Sequence, residues 1–123
     1  MVESFWAIPD VADLRTPLSI LREQAAALTA ATKGVLVGAV ETERNGDELL
    51  LRLDIIVPAL NDYRYQLMSY RQTIHKYPGL MYAFGTNYTI NDESHFITSI
   101  KRTLASTNVK NVLTSLLSQA RIA

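Results

Sequence analysis

The chain of 123 residues contains no cysteine. This absence excludes a disulfide framework, thiolate metal ligands and a cysteine nucleophile. Histidine is scarce as well, since only His75 and His95 occur, and a structural zinc site is therefore not expected. No apolar run approaches the roughly 20 residues of a membrane-spanning helix, and the acidic N-terminal stretch does not resemble a signal peptide. The sequence predicts a cytoplasmic protein with no membrane partner, no metal and no cofactor.

The large catalytic motif families are also missing. The five glycines are scattered, so the chain has no Gly-rich phosphate loop, and it contains neither an H-E-x-x-H nor a G-x-S-x-G sequence. These absences exclude the common motif-bearing enzyme classes but leave open a small enzyme with a site of its own. The length and the composition, with 48% apolar and 20% charged residues, are typical of one globular domain.

Charge is balanced over the whole chain but is unevenly distributed along it. Residues 1–62 contain ten acidic and five basic side chains, whereas residues 63–123 contain two acidic and seven basic ones. A basic second half would suit an acidic partner or a nucleic acid. The two halves of one small domain interleave on folding, however, and we prefer this second interpretation.

The first fifteen residues are the least regular part of the chain. They predict an N-terminal arm, 1–15, ahead of a single domain, 16–123. The arm carries large apolar side chains that would pack either on the domain or on a neighbouring subunit. These side chains are Phe5, Trp6 and Ile8.

The segment after the arm predicts a helix followed by a hairpin. Thr16-Pro17 is a favourable N-cap and first helical position, and an apolar stripe extends the helix over 17–33. Asn45-Gly46 between two β-like runs predicts a two-residue type I′ turn. With that turn the paired residue numbers sum to 91, one face is apolar, and all but one of the charges lie on the other face.

Two further strands are predicted in the second half. In YRYQLMSYRQT the apolar character changes face between Leu67 and Met68, which predicts a third strand with a β-bulge. Tyr77-Pro78-Gly79-Leu80 fits a type II turn. The run LMYAFGTNYTI after it predicts a single fourth strand, 80–90.

Helices are predicted at the end of the chain. Asn91 or Asp92 caps the first of them, and Ser106-Thr107-Asn108 interrupts it before a final amphipathic helix. The order α-β-β-β-β-α-α predicts an α+β fold: a four-stranded antiparallel meander with helices packed on one face. The nearly uncharged run VLVGAV is a candidate edge strand through which a second copy could pair.

Four of the six tyrosines lie in NDYRYQLMSYRQTIHKYPG. Tyrosines interleaved with arginines are typical of sheets that stack single-stranded bases, and equally of protein–protein hot spots. Tyrosine is also a favoured strand residue, so the cluster can be purely structural. The candidate binding residues are Tyr63, Arg64, Tyr65, Tyr70, Arg71 and Tyr77.

The histidines provide weak catalytic candidates. If strand alternation places Arg71 and His75 on one face, Arg71 could hold a phosphate and His75 could move a proton, as in a nuclease. Asp92 and His95, three residues apart on a helix, could share a metal. An exposed turn histidine and a helix N-cap explain the same residues more simply, so we assign no catalytic residue and no metal ligand.

Together these observations predict a small soluble protein-interaction module that self-associates and has no evident catalytic activity. Its expected partners are another protein, further copies of itself, or both. The alternative is a nucleic-acid-associated protein that uses the same tyrosines and arginines. A small nuclease-like enzyme that uses His75 and Arg71 is the third hypothesis.

Overall fold

A computed structural model describes residues 3–10 and 15–123. These residues form three helices and one antiparallel sheet of five strands in sequential order, so the predicted α+β class is confirmed. The predicted arm is described only in part, because residues 1–2 and 11–14 lie outside these ranges. No helix within the described ranges is long and apolar enough to cross a membrane. The elements are α1 Pro17–Ala31, β1 Val37–Asn45, β2 Glu48–Val57, β3 Tyr63–Gln72, β4 Gly79–Ala83, β5 Thr86–Ile90, α2 Glu93–Leu104 and α3 Thr107–Ile122.

The prediction of four strands is wrong, because the expected fourth strand is a hairpin. Phe84 and Gly85 both have positive φ, 49° and 78°, as the two central residues of a type I′ turn require. β4 and β5 flank that turn and pair antiparallel, with Ala83 opposite Thr86. The reversal moves Tyr88 and Ile90 to the face opposite Tyr82, although strict alternation along one strand would keep all three together.

α1 begins as the sequence predicts and packs very closely on β1. Thr16 and Ser19 form a capping box at its N-terminus, and the helix ends two residues before the predicted limit of 33. A Cβ atom on Gly38 would overlap the main chain of Ala25. The helix and the strand therefore approach each other at a distance that only glycine allows at this position.

The first hairpin has the predicted faces but a different register. Asn45 pairs with Glu48, so the paired numbers sum to 93 and the turn residues are Gly46 and Asp47. Gly46 has a φ of 64° at the first central position, which is the glycine position of a type II′ turn. Because the register is displaced by two residues, every side chain stays on its predicted face.

The predicted β-bulge is confirmed in β3. Leu53 pairs with Met68, and the next pair is Asp54 with Gln66, which leaves Leu67 without a partner on β2. The extra residue shifts the alternation, so Tyr65 and Tyr70 both lie on the side of the sheet that the helices cover.

The predicted type II turn between the third and fourth strands is wrong. The Tyr77–Pro78 peptide bond is cis, and Gly79 lacks the positive φ that this turn demands. Gly79 is already part of β4 and pairs with Ile90. Its missing side chain makes room for the phenol of Tyr70, which a Cβ atom there would overlap.

β1 forms one edge of the sheet, as expected for VLVGAV. The apolar part of this edge is not open, however, because α1 supplies hydrogen bonds to it. The amide of Gly38 donates to Thr29 Oγ1 over 2.9 Å, and Leu36 exchanges hydrogen bonds with Thr32 Oγ1. The rest of β1 is exposed and carries charged side chains, which discourage strand pairing between copies.

Candidate interaction surfaces

Two of the candidate binding tyrosines belong to the core. Tyr70 is fully buried, and its hydroxyl donates to the main-chain oxygen of Lys76 over 2.6 Å. Its ring lies edge-on to Phe96 at 4.8 Å and is tilted against Tyr77 at 6.3 Å. The hydroxyl of Tyr77 is buried and has no hydrogen-bond partner in the described part of the chain.

The surroundings of both tyrosines oppose ionisation of their phenols. Burial, together with the nearby carboxylates of Glu93 and Asp92, raises the pKa of Tyr77 to about 12. Burial likewise raises the pKa of the Tyr70 phenol. Both causes oppose ionisation of the phenols, as expected for rings that pack in the core.

Tyr63 and Tyr65 occupy a different place on the same covered side. They line a crevice between the end of the sheet and α3, beside Val112 and Leu116. Tyr63 is about half exposed and Tyr65 is partly buried. The two rings therefore remain candidates for a contact, but they are separated from Tyr70 by the bulge at Leu67.

Arg64 and Arg71 point to the opposite side of the sheet. We define the open face as the side chains that point away from the helices. Cross-strand pairing arranges them in rows, such as Glu41, Arg52, Ser69 and Tyr82. The open face comprises Val37, Ala39, Glu41, Glu43, Asn45, Glu48, Leu50, Arg52, Asp54, Ile56, Arg64, Gln66, Ser69, Arg71, Leu80, Tyr82, Asn87 and Thr89.

The arginines of the open face are already paired with carboxylates. Arg64 Nη1 lies 2.7 Å from Asp54 Oδ2 and 3.2 Å from Glu41. Arg52 contacts Glu43 at 3.1 Å, and Arg71 lies 3.9 Å from Glu48. The hydrogen bond with Asp54 is the main cause that raises the pKa of Arg64.

Asp54 is the unusual member of this network. It is only 3% exposed although it belongs to the face without helices, and Glu41, Arg52, Arg64 and Gln66 lie around it. Its Oδ1 atom has no hydrogen-bond partner in the described part of the chain. Burial of a carboxylate is costly, so the burial of Asp54 depends strongly on Arg64, which pairs with its Oδ2 atom.

The catalytic candidates do not form a constructed site. β3 ends at Gln72, so strand alternation does not carry from Arg71 to His75, which is exposed in the turn that follows. Asp92 caps α2 by accepting the amide of His95 at 2.8 Å, and His95 Nδ1 accepts the amide of Asn91. Within residues 3–10 and 15–123, no three His, Asp or Glu side chains are grouped so that they could hold a metal.

Three strongly exposed apolar side chains belong to the arm. Phe5 is 92% exposed, Trp6 is 81% exposed and Ile8 is 77% exposed. Single exposed apolar residues are common on protein surfaces, whereas these three lie within four residues of the chain. We expected the arm to pack either on the domain or on a neighbouring subunit. Its exposed side chains do not pack on the domain.

An apolar cleft lies on the helical side of the molecule. We define it as the cavity of about 250 Å³ between α1 and the α2–α3 pair, whose floor is formed by β2 and β3. The α1 wall is low because it carries three alanines. The lining consists of Gln24, Ala25, Ala27, Leu28, Ala31, Leu53, Ile55, Leu67, Leu104, Val109 and Leu113.

Comparisons of the chain with protein-family models, with curated proteins and with solved structures found no match. The sequence drew attention to the arm but gave no sign of the cleft, whose lining comes from four separated segments of the chain. It also gave little sign of the buried ion pair of Asp54. The signal available for that pair was an aspartate in the otherwise apolar run LDIIV, opposite the bulged strand.

Proposed function

We propose that this chain is a small protein-interaction module that self-associates by placing its arm in the apolar cleft of a second copy. The observation that carries the proposal is the exposure of Phe5, Trp6 and Ile8 in a chain that also has an unfilled apolar cleft. Burying such side chains is the main driving force of protein association. Aromatic anchors in apolar pockets are the usual centres of binding energy in interfaces.

The size of the cleft suits an aromatic anchor. A dry cavity of about 150 Å³ can hold a benzene molecule, so a cleft of about 250 Å³ has room for the larger indole of Trp6. If two copies exchange arms, each indole that enters a cleft removes about 200–250 Å² of aromatic surface from water.

The arm is also long enough to reach the cleft of its own domain. The ten residues from Trp6 to Thr16 span up to about 35 Å when extended, and the cleft begins at Gln24, about two turns into α1. In the structure, however, the apolar side chains of the arm are exposed. Docking between copies depends on concentration and docking within one copy does not, so the two arrangements can be distinguished.

Sedimentation velocity over a wide range of protein concentration tests the proposal. We expect the wild type to dimerise. Truncation of the anchor in Trp6→Ala should weaken the dimer at least about 30-fold, since hot-spot truncations cost about 2 kcal/mol or more. A wild type that stays monomeric throughout would contradict self-association itself. If the wild type associates and Trp6→Ala associates equally well, the copies contact each other through another surface.

A second pair of variants tests the cleft. Ala27→Phe places a large ring in the cleft from the exposed side of α1, whereas Ala30→Phe is a matched control on the same helix at a position outside the cleft. We expect only Ala27→Phe to impair dimerisation. Mixing Trp6→Ala with Ala27→Phe should restore partial association, because one variant retains a cleft and the other retains an arm.

The nucleic-acid alternative receives less support from the open face. Its three arginines are paired with carboxylates, and its acidic residues outnumber them. Tyr82 is the aromatic side chain on that face, whereas single-strand readers stack several bases in succession. The nuclease alternative has even less structural support, because His75 and Arg71 do not lie on a common strand.

A further inference from the structure

A second cavity lies beside the β4–β5 hairpin and shares no lining residue with the apolar cleft. It lies between the turn of the β4–β5 hairpin and the junction of α2 with α3, and its volume is about 250 Å³. We call it the hairpin pocket. Unlike the apolar cleft, it combines aromatic rings with hydrogen-bonding side chains. Its lining includes Phe84, Tyr88, Ser99, Arg102 and Thr103.

Aromatic rings form one wall of this pocket. Tyr88 lies opposite Met81 in the sheet and so points to the helical side, but it remains 45% exposed beside the cavity. Phe84, at the tip of the hairpin, is 38% exposed. Two half-exposed rings beside a cavity provide flat surfaces on which a planar ligand can stack.

Arg102 supplies an unused positive charge in the same pocket. Its side chain makes no ion pair and no hydrogen bond with any residue of the described ranges, in contrast to the arginines of the open face. The hydroxyls of Ser99 and Thr103, one turn apart on the same helix, are further hydrogen-bonding groups of the lining. A guanidinium of this kind binds a carboxylate through two parallel hydrogen bonds.

Phe84 occupies its position against the preference of the backbone. Its φ of 49° lies in the left-handed region, where Gly, Asn and Asp are favoured in a type I′ turn. Non-glycine residues in such conformations are costly and are concentrated at functional sites. The structure supplies no core packing that would compensate, since the ring is partly exposed beside the cavity.

We propose that the hairpin pocket binds a small aromatic carboxylate, with its ring against Phe84 and Tyr88 and its carboxylate on Arg102. The cavity is somewhat smaller than the roughly 300 Å³ at which drug-sized sites begin, so a single ring with a short acidic side chain fits better than a dinucleotide. This site is independent of self-association, because it shares no lining residue with the apolar cleft.

Isothermal titration with three matched probes tests the chemistry. Phenylacetate carries both the ring and the charge, acetate carries the charge alone, and 2-phenylethanol carries the ring alone. We expect phenylacetate to bind at least tenfold more tightly than either of the others. Equal affinity of acetate and phenylacetate would reduce the pocket to a simple anion site and overturn the proposal, as would the absence of phenylacetate binding at millimolar concentration.

Variants then locate the site. Arg102→Gln should weaken phenylacetate binding at least tenfold, whereas Lys101→Gln, its neighbour outside the pocket, should leave it unchanged. Phe84→Asn should weaken binding and raise Tm, because asparagine tolerates the left-handed conformation. Equal binding by Arg102→Gln and the wild type would overturn the proposal, and a lower Tm for Phe84→Asn would make Phe84 a structural residue.

Discussion

Removal of a single hydroxyl group should have opposite consequences at Tyr70 and at Tyr77. The rings of these residues lie 6.3 Å apart, and both were binding candidates in the sequence. In Tyr70→Phe the ring contacts remain, but the 2.6 Å hydrogen bond to Lys76 is lost. The carbonyl that accepted it loses its partner. The expected loss of unfolding free energy is about 1–2 kcal/mol, which corresponds to a fall in Tm of roughly 3–8 °C.

Tyr77→Phe is the matched control for this experiment. The hydroxyl of Tyr77 is buried without a partner in the described part of the chain, so its removal relieves a desolvation cost instead of breaking a bond. We expect stability to stay unchanged or to rise by up to about 1 kcal/mol. Urea denaturation monitored by circular dichroism measures both variants, and equal losses in the two would refute this assignment of roles.

Three further perturbations follow from the structure. Arg64→Gln should lower the urea midpoint more than Asp54→Asn does, because the loss of Arg64 leaves the buried carboxylate of Asp54 unpaired. A larger fall in the midpoint for Asp54→Asn would contradict the burial of Asp54. The folded state holds the pKa of Tyr77 above its unfolded value of about 10. The contribution of this shift to the free energy of unfolding should therefore be fully present below about pH 10 and should be lost as the pH rises towards 12. The Tyr77→Phe variant should lose less stability over this pH range. Gly38→Ala should destabilise the domain by about 1–3 kcal/mol, because α1 must move away from β1, and unchanged stability in thermal denaturation would show that this contact is loose.

Local patterns in the sequence predict those features that depend on neighbouring residues. The N-cap at Thr16 and the bulge at Leu67 were both available from spacing and alternation alone, and both are confirmed. The strand break at Phe84 was missed because phenylalanine is a poor signal for a left-handed turn, although Gly85 follows it. The hairpin register was missed because displacements by two residues preserve the faces and therefore the hydrophobic pattern.

Features that depend on distant residues were beyond reach of the sequence. Tyr70 and Arg71 are adjacent in the chain, yet the first is in the core and the second is on the open face. The bulge at Leu67 shifts the alternation, so that Tyr63 and Tyr65 lie on the same side of the sheet as Tyr70. The cleft and the hairpin pocket each combine segments that are far apart in the chain, so no local spacing could have indicated them.

Self-association through the arm can be tested most directly by fluorescence, because Trp6 is the only tryptophan of the chain. In dilute solution its emission should be that of an exposed indole. As the protein concentration rises, the emission should shift to shorter wavelengths with the same midpoint as the increase in sedimenting mass, and Ala27→Phe should abolish both changes. An emission that stays constant while the mass increases, or that is already shifted in the monomer, would contradict docking of the arm between copies.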